Sequence, residues 1–172
     1  MNKNTLLRGI LISFFAVSLV FISCSSGGGG DDDKKVIVCF GDSLTAGYWN
    51  GVDYTAQSYP AYLQAMLDNY DPGAYTVINA GVTGRTTAQA LSVLQSEVIS
   101  KNPDVVIVCL GGNDVLGADN STDMTTAITD CNNNLASILS KIDNGKRRIY
   151  VVKFYNEYFA QYYMSNAMKF SS

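Results

Sequence analysis

What most constrains this chain is the stretch Val36-Ile-Val-Cys-Phe40 running straight into Gly41-Asp42-Ser43. Five apolar residues that are rich in β-branched side chains and end in a glycine turn predict a buried strand of a parallel sheet. Open α/β sheets hold their ligands beyond the carboxyl ends of the strands. The polar residues after Phe40 fall there, so Ser43 is placed to act as a nucleophile on a turn leading into a helix. Taken alone, Gly-Asp-Ser-Leu is four common residues and equally describes a tight strand-exit turn.

The rest of the chain repeats the motif of an apolar strand followed by an amphipathic helix. Ser58 to Tyr70 carries Tyr62, Leu63, Met66, Leu67 and Tyr70 on one helical face, with Pro60 tolerated in the first turn. Asp71-Pro-Gly73 is a turn before a second strand, Tyr75 to Ala80. Thr86 to Ser100 reads as a helix opened by a Thr86-x-x-Gln89 capping box. Val105 to Leu110 is a third strand. Met124, Ala127, Ile128, Cys131, Leu135, Ile138 and Ile142 mark a long amphipathic helix that stops at Asn144-Gly145, and Arg148 to Lys153 is a fourth strand. Strands separated by helices imply a parallel sheet with right-handed crossovers. The aromatic-rich tail, Phe154 to Ser172, reads as a helix packing on the sheet or lining a cleft.

The first residues do not share this pattern. Lys3 and Arg8 precede an almost wholly apolar run, Gly9 to Ile22, too short for a comfortable membrane span, and Ser23-Cys24 closes it. Residues 1–23 therefore read as a signal peptide, and Val20-Phe-Ile-Ser-Cys24 resembles a bacterial lipobox, with Cys24 as the lipidated residue. An ordinary cleaved leader with an incidental cysteine is the competing reading. Residues 24–35 form a Gly- and Asp-rich tether with little to pack, and residues 36–172 form the folded domain. The expected location is outside the cell's inner compartment, anchored by lipid to a bacterial membrane. The acidic run after Cys24 resembles the surface-export signals of some Gram-negative lipoproteins, so the outer membrane is expected, with the domain facing the periplasm or the surface. Lys and Arg number 12 against 15 Asp and Glu, a net charge of −3 that becomes −5 once Lys3 and Arg8 are removed. No basic cluster points to a nucleic-acid partner. Cys39 and Cys109 sit in apolar runs that place them on adjacent strands, and Cys131 falls on the apolar side of its helix. All three read as small buried hydrophobes rather than disulfide or metal ligands.

Two more loops occupy the position of Gly41-Asp42-Ser43. The second strand leads into Asn79-Ala-Gly-Val-Thr-Gly84-Arg-Thr-Thr, and the third into Gly111-Gly-Asn113-Asp114. Three strands thus end in small polar loops at one sheet edge. Together they offer a hydroxyl and the hydrogen-bond donors that a developing oxyanion needs. On these blocks, in consistent order from Val36 to Val152, the chain resembles the SGNH (GDSL) hydrolase superfamily. The resemblance implies a flavodoxin-like three-layer α/β/α sandwich, and ester or thioester hydrolysis through a serine acyl-enzyme, with no metal or cofactor. It makes Ser43 the nucleophile and Gly84 an oxyanion-hole N–H donor, preferred to Gly81 because it lies five residues after Asn79. Asn113 becomes a side-chain donor to the same oxyanion, with the Ser43 backbone N–H as the third.

The resemblance also implies a late Asp-x-x-His block, and here the chain departs: it contains no histidine. Lys153 and Lys169 follow the fourth strand, but no pattern around them suggests the burial a lysine base requires. The expectation is an SGNH ester hydrolase whose C-terminal part is missing and whose turnover is impaired. The alternative is a lipid-anchored pseudoenzyme that binds acyl or glycan ligands; a flavodoxin-like domain with coincidental turns is the third reading. Small esters, lipids and acylated glycans are the substrate classes implied. The residues Tyr48 to Gln57 are expected to form part of the pocket wall.

Overall fold

A computed structural model of the chain describes residues 34–116 and 121–152. The leader, Cys24, the tether up to Asp33, Lys153, Lys169 and the aromatic tail lie outside the described residues. The elements run in order as strand β1 (Lys35–Gly41), helix α1 (Ser43–Ala46), strands β2 (Tyr48–Trp49) and β3 (Val52–Asp53), and helix α2 (Tyr59–Tyr70). They continue as β4 (Tyr75–Gly81), α3 (Thr87–Glu97), β5 (Val105–Cys109), α4 (Gly112–Leu116), α5 (Ser121–Ile142) and β6 (Arg148–Val151). β4, β1, β5 and β6 form one four-stranded sheet in that spatial order, and all three pairings are parallel. The predicted four strands and three principal helices are all present, with ends within a few residues of those expected.

Side chains on successive strand residues alternate between faces, and the two faces of this sheet carry different layers. Val38 and Phe40 of β1, with Val106 and Val108 of β5, are fully buried. They meet Ala90 and Leu94 of α3, Val98 just beyond it, and Ile138 and Ile142 of α5. The spacings 90, 94, 98 and 131, 135, 138, 142 each trace one helical stripe, which is why these helices lie flat on the sheet. On the opposite face α2 packs against β4. The outcome is a sheet with helices on both sides.

In α2 the structure corrects the expected apolar face. Leu63 and Leu67 are half-buried as expected, but Tyr62, Met66 and Tyr70 are exposed, and polar Gln64 bonds the edge of the sheet beside the leucines. The reason is hydrogen bonding. Gln64 Oε1 accepts from the Val77 N–H at 2.6 Å, while Gln64 Nε2 donates to the Tyr75 carbonyl at 3.2 Å. β4 is an edge of the described sheet, and an edge strand leaves a row of unpaired backbone groups that a neighbour must satisfy. The expected α3 cap is present: Thr86 Oγ1 accepts from the Gln89 N–H, and the Gln89 side chain accepts from the Thr86 N–H. At the amino edge, Asp104 accepts from the Val36 N–H at 2.9 Å and pairs with Lys35 at 3.2 Å, while the Asp104 carbonyl accepts from the Arg148 N–H. Among the described residues no helix is long and apolar enough to cross a membrane.

Candidate active site

The site is built on the central strand. Gly41, the last residue of β1, pairs with Gly81 of β4 on one side and Cys109 of β5 on the other. The exits are then stitched together: the Val82 N–H donates to the Gly41 carbonyl at 3.1 Å, and the Asp42 N–H donates to the Cys109 carbonyl at 3.2 Å. The single turn α1 lies directly on the two paired glycines. A Cβ on Gly41 would overlap Thr45 Oγ1 and come within 2.8 Å of the Cys109 carbonyl oxygen. One on Gly81 would overlap Ala46 N and stand 2.6 Å from the Thr45 carbonyl carbon. Both positions need glycine for space, since neither has a positive φ. This glycine floor holds the turn that carries Ser43 close to the sheet.

Ser43 opens α1 and is half-buried. Asp42 caps the turn, its carboxylate accepting from the Leu44 N–H at 3.0 Å. Its own backbone carbonyl accepts from Thr45 and Ala46. The Ser43 N–H is left over, as first-turn amides of a helix are. Among the described residues neither that N–H nor the Ser43 hydroxyl has a hydrogen-bond partner. Asp42 is almost wholly buried, and burial pushes its carboxyl pKa up despite the Leu44 N–H. Beneath the turn, fully buried Thr45 shares a 3.4 Å hydrogen bond with the Tyr59 hydroxyl. Cys39 and Cys109 are free and buried, as expected. Burial raises their thiol pKa values to about 11 and about 12, so both are protonated near neutral pH.

Gly84 lies in the exposed loop after β4 with φ +79° and open space around it. The two candidate glycines are separated by their hydrogen bonds. The Gly81 N–H is already committed to Asn79 Oδ1 at 2.9 Å, whereas the Gly84 N–H has no acceptor among the described residues. Asn113 is not in a loop, as its sequence suggested, but in the first turn of α4. Its Nδ2 donates to the Arg85 carbonyl at 3.0 Å. A side-chain amide carries two N–H groups, so one remains to be offered to a ligand. The next residue, Asp114, accepts from the Thr87 N–H with both oxygens, at 3.1 and 3.0 Å, and from the Thr87 hydroxyl. The loops after β4 and β5 therefore grip each other across the end of β1, which lies between them.

Ser43, Gly84 and Asn113 thus come from three neighbouring strand ends, as the spacing predicted. Three contributors were not evident beforehand: the space-limited Gly41 and Gly81 pair, the Thr87–Asp114 clasp and buried Arg85. The first had a usable signal, because both glycines stand at the last position of adjacent strands. The stretch after α1 is a small hairpin, Tyr48 and Trp49 pairing antiparallel with Val52 and Asp53. It is tied to the Gly84 loop by the Thr83 hydroxyl donating to Asp53 at 2.6 Å.

Comparison with known proteins identifies the family. Residues 39–168 match the GDSL-like Lipase/Acylhydrolase family. Esterase TesA of Pseudomonas aeruginosa is 38% identical over 82 residues, covering 46% of this chain and 38% of that protein. An arylesterase of Vibrio mimicus is 29% identical over 129 residues, covering 71% of this chain and 62% of that one. Among solved structures, the SGNH-hydrolase family esterase AlinE4 aligns with a TM-score of 0.56 at 32% identity, covering 86% of this chain and 76% of that one. The chain spans less than two thirds of the length of these curated relatives. The order of the three blocks, the strand order beneath them and the match over residues 39–168 agree, and the chain belongs to the GDSL-like lipase/acylhydrolase family of SGNH hydrolases.

Proposed function

We propose that the carboxyl edge of this sheet is an ester-hydrolase site. Ser43 Oγ attacks the carbonyl carbon of an ester as its hydroxyl proton is given up to water or buffer, and the carbonyl electrons move to oxygen. Collapse of that oxyanion expels the alkoxide, which takes up a proton to become the alcohol, and leaves an acyl-Ser43. Water then releases the acid. The observation that carries this reading is a set of donors at three neighbouring strand ends that have no acceptor among the described residues: the Ser43 N–H, the Gly84 N–H and the second N–H of Asn113. Fixed donors of this kind cost no reorganisation when charge develops, and a single one is worth about 10²–10³ in rate. The names of the TesA, arylesterase and AlinE4 relatives support the same class of reaction.

Proton transfer limits this chain. Its 172 residues contain no histidine, so no imidazole within them takes the Ser43 proton. Acylation is then slow, and what remains is the contribution of the donors and of binding. The same fact favours the second reading, a cleft that binds acylated ligands without turning them over. Added imidazole separates the two. The protein is incubated with a fluorophosphonate, with and without imidazole, and its intact mass is followed. A single adduct that forms faster with imidazole and is absent in Ser43→Ala is expected. If Ser43→Ala labels like the parent, or if the parent takes no label even with imidazole, the hydrolase reading is withdrawn in favour of binding.

The leader supports a lipid anchor on Cys24, which would hold the domain at a bacterial membrane through the Gly- and Asp-rich tether. Small esters or lipids are the substrates that a family of acylhydrolases suggests. Metabolic labelling with palmitate in a bacterial host is expected to mark the parent and to leave Cys24→Ser unmarked.

A further inference from the structure

Arg85 stands out in its loop. Val82, Thr83 and Gly84 are exposed, yet the arginine that follows is 5% exposed and both of its terminal guanidinium nitrogens are engaged. Nη1 donates to the Ala80 carbonyl at 2.8 Å, and Nη2 donates to Glu97 Oε1 at 3.0 Å and forms an ion pair with Oε2 at 2.8 Å. The guanidinium carbon lies 5.2 Å from the ring centre of Phe40. One side chain thereby ties the end of β4, the last residue of α3 and the strand that delivers Ser43. An arginine buried to this extent is tolerated because its planar fork is paired and stacked at once.

The main chain of the same residue meets the site. The Arg85 N–H donates to the Val82 carbonyl at 3.1 Å, closing the turn in which Gly84 takes its left-handed conformation. The Arg85 carbonyl accepts from Asn113 Nδ2. A carbonyl can only accept, so this contact dictates which end of the Asn113 amide faces Arg85 and leaves the second Nδ2 hydrogen for a ligand oxygen. We infer that Arg85 is the positioning residue of the oxyanion pocket, clamping its loop from below so that Gly84 and the Asn113 amide are held as one unit. It touches no substrate; it acts through the two donors. The inference deepens the proposed function and rests on it for its catalytic meaning, but the geometry it predicts can be measured without turnover.

Two readouts test it on the full chain. The first is the side-chain amide pair of Asn113 in a ¹⁵N-correlated NMR spectrum, assigned by its disappearance in Asn113→Asp. The second is the rate of imidazole-assisted fluorophosphonate labelling of Ser43. In Arg85→Met the Asn113 pair is expected to move to the free-asparagine position and the labelling rate to fall on the order of 10- to 100-fold, towards that of Asn113→Ala. Arg85→Lys, which keeps the charge but not the fork, recovers only part of either. Glu97→Gln breaks the ion pair without emptying the site and is expected to shift the Asn113 pair in the same direction by less, so it decides the matter if Arg85→Met does not fold. Folded Arg85→Met, or failing that Glu97→Gln, with the Asn113 pair and the labelling rate unchanged overturns the inference. If the parent itself takes no label, the ester-hydrolase reading fails, and the NMR readout alone decides whether Arg85 holds Asn113.

Discussion

At the scale of single residues, the site depends on atoms that are missing as much as on those present. Gly81→Ala puts a methyl group where the backbone of α1 already lies, so it is expected to destabilise by about 1–3 kcal/mol and to displace Ser43. Gly84→Ala meets open space and bears only the left-handed φ, which costs about 1–2 kcal/mol. Urea unfolding of the two variants should rank them in that order. Asp42 supplies a pH signature. Burial raises its folded-state pKa above the ordinary 3.8, so the folded protein holds this proton more tightly than the unfolded chain. Stability contributed by protonated Asp42 is present below about pH 3.8 and is lost as pH rises through the higher folded value. Asp42→Asn keeps an acceptor for the Leu44 N–H and should flatten that part of the stability curve, measured by thermal unfolding across acid pH. The strand-end positions of Ser43 and Asn113 were readable in the sequence because their blocks are local. Arg85 was not, since its partners Ala80, Glu97 and Phe40 are set by packing.

At the scale of elements, the amino end of α3 is where two chain segments become one site. Thr87 is fully buried and gives both its N–H and its hydroxyl to Asp114 of α4. A negative charge there also meets the positive end of the helix. Asp114→Ala leaves the Thr87 N–H without its acceptor, and a cost of about 1–3 kcal/mol in denaturant unfolding is expected, with faster amide exchange at Thr87. The helical periodicities of α3 and α5 were legible, down to the Thr86 capping box. That of α2 misled in part: Leu63 and Leu67 are half-buried, while Tyr62, Met66 and Tyr70, which share their stripe, are exposed. Gln64 took the inward position because the backbone of an edge strand needed partners more than the core needed another hydrophobe.

At the scale of the molecule, β1 and β5 occupy the centre of the sheet and carry its most buried side chains, while β4 and β6 flank them. Hydrogen exchange is expected to follow this order, with amides of Val38, Phe40, Val106 and Val108 slowest and those of β6, where Tyr150 and Val151 are exposed, fastest among the four strands of this sheet. A β6 as protected as β1 would contradict that ranking. Ile138→Ala removes a fully buried side chain from the layer joining α5 to the sheet and should cost about 2–5 kcal/mol in denaturant unfolding.

What the sequence by itself determined is whatever depends on neighbours along the chain. Apolar runs of strand length, helical stripes, a capping box and three loops of small polar residues specified a parallel α/β sheet with polar loops gathered at its carboxyl edge. Tertiary structure decided what depends on neighbours in space. Strand order set Gly41 beside Gly81 and laid α1 across them, which turned two ordinary turn residues into a steric requirement. It also committed the Gly81 N–H to Asn79 and left that of Gly84 without an acceptor among the described residues. The physical reason is common to these cases: a hydrogen bond or a steric overlap exists only between groups a few ångströms apart, and it is the folded sheet that brings residues 40, 85, 97 and 113 within that range.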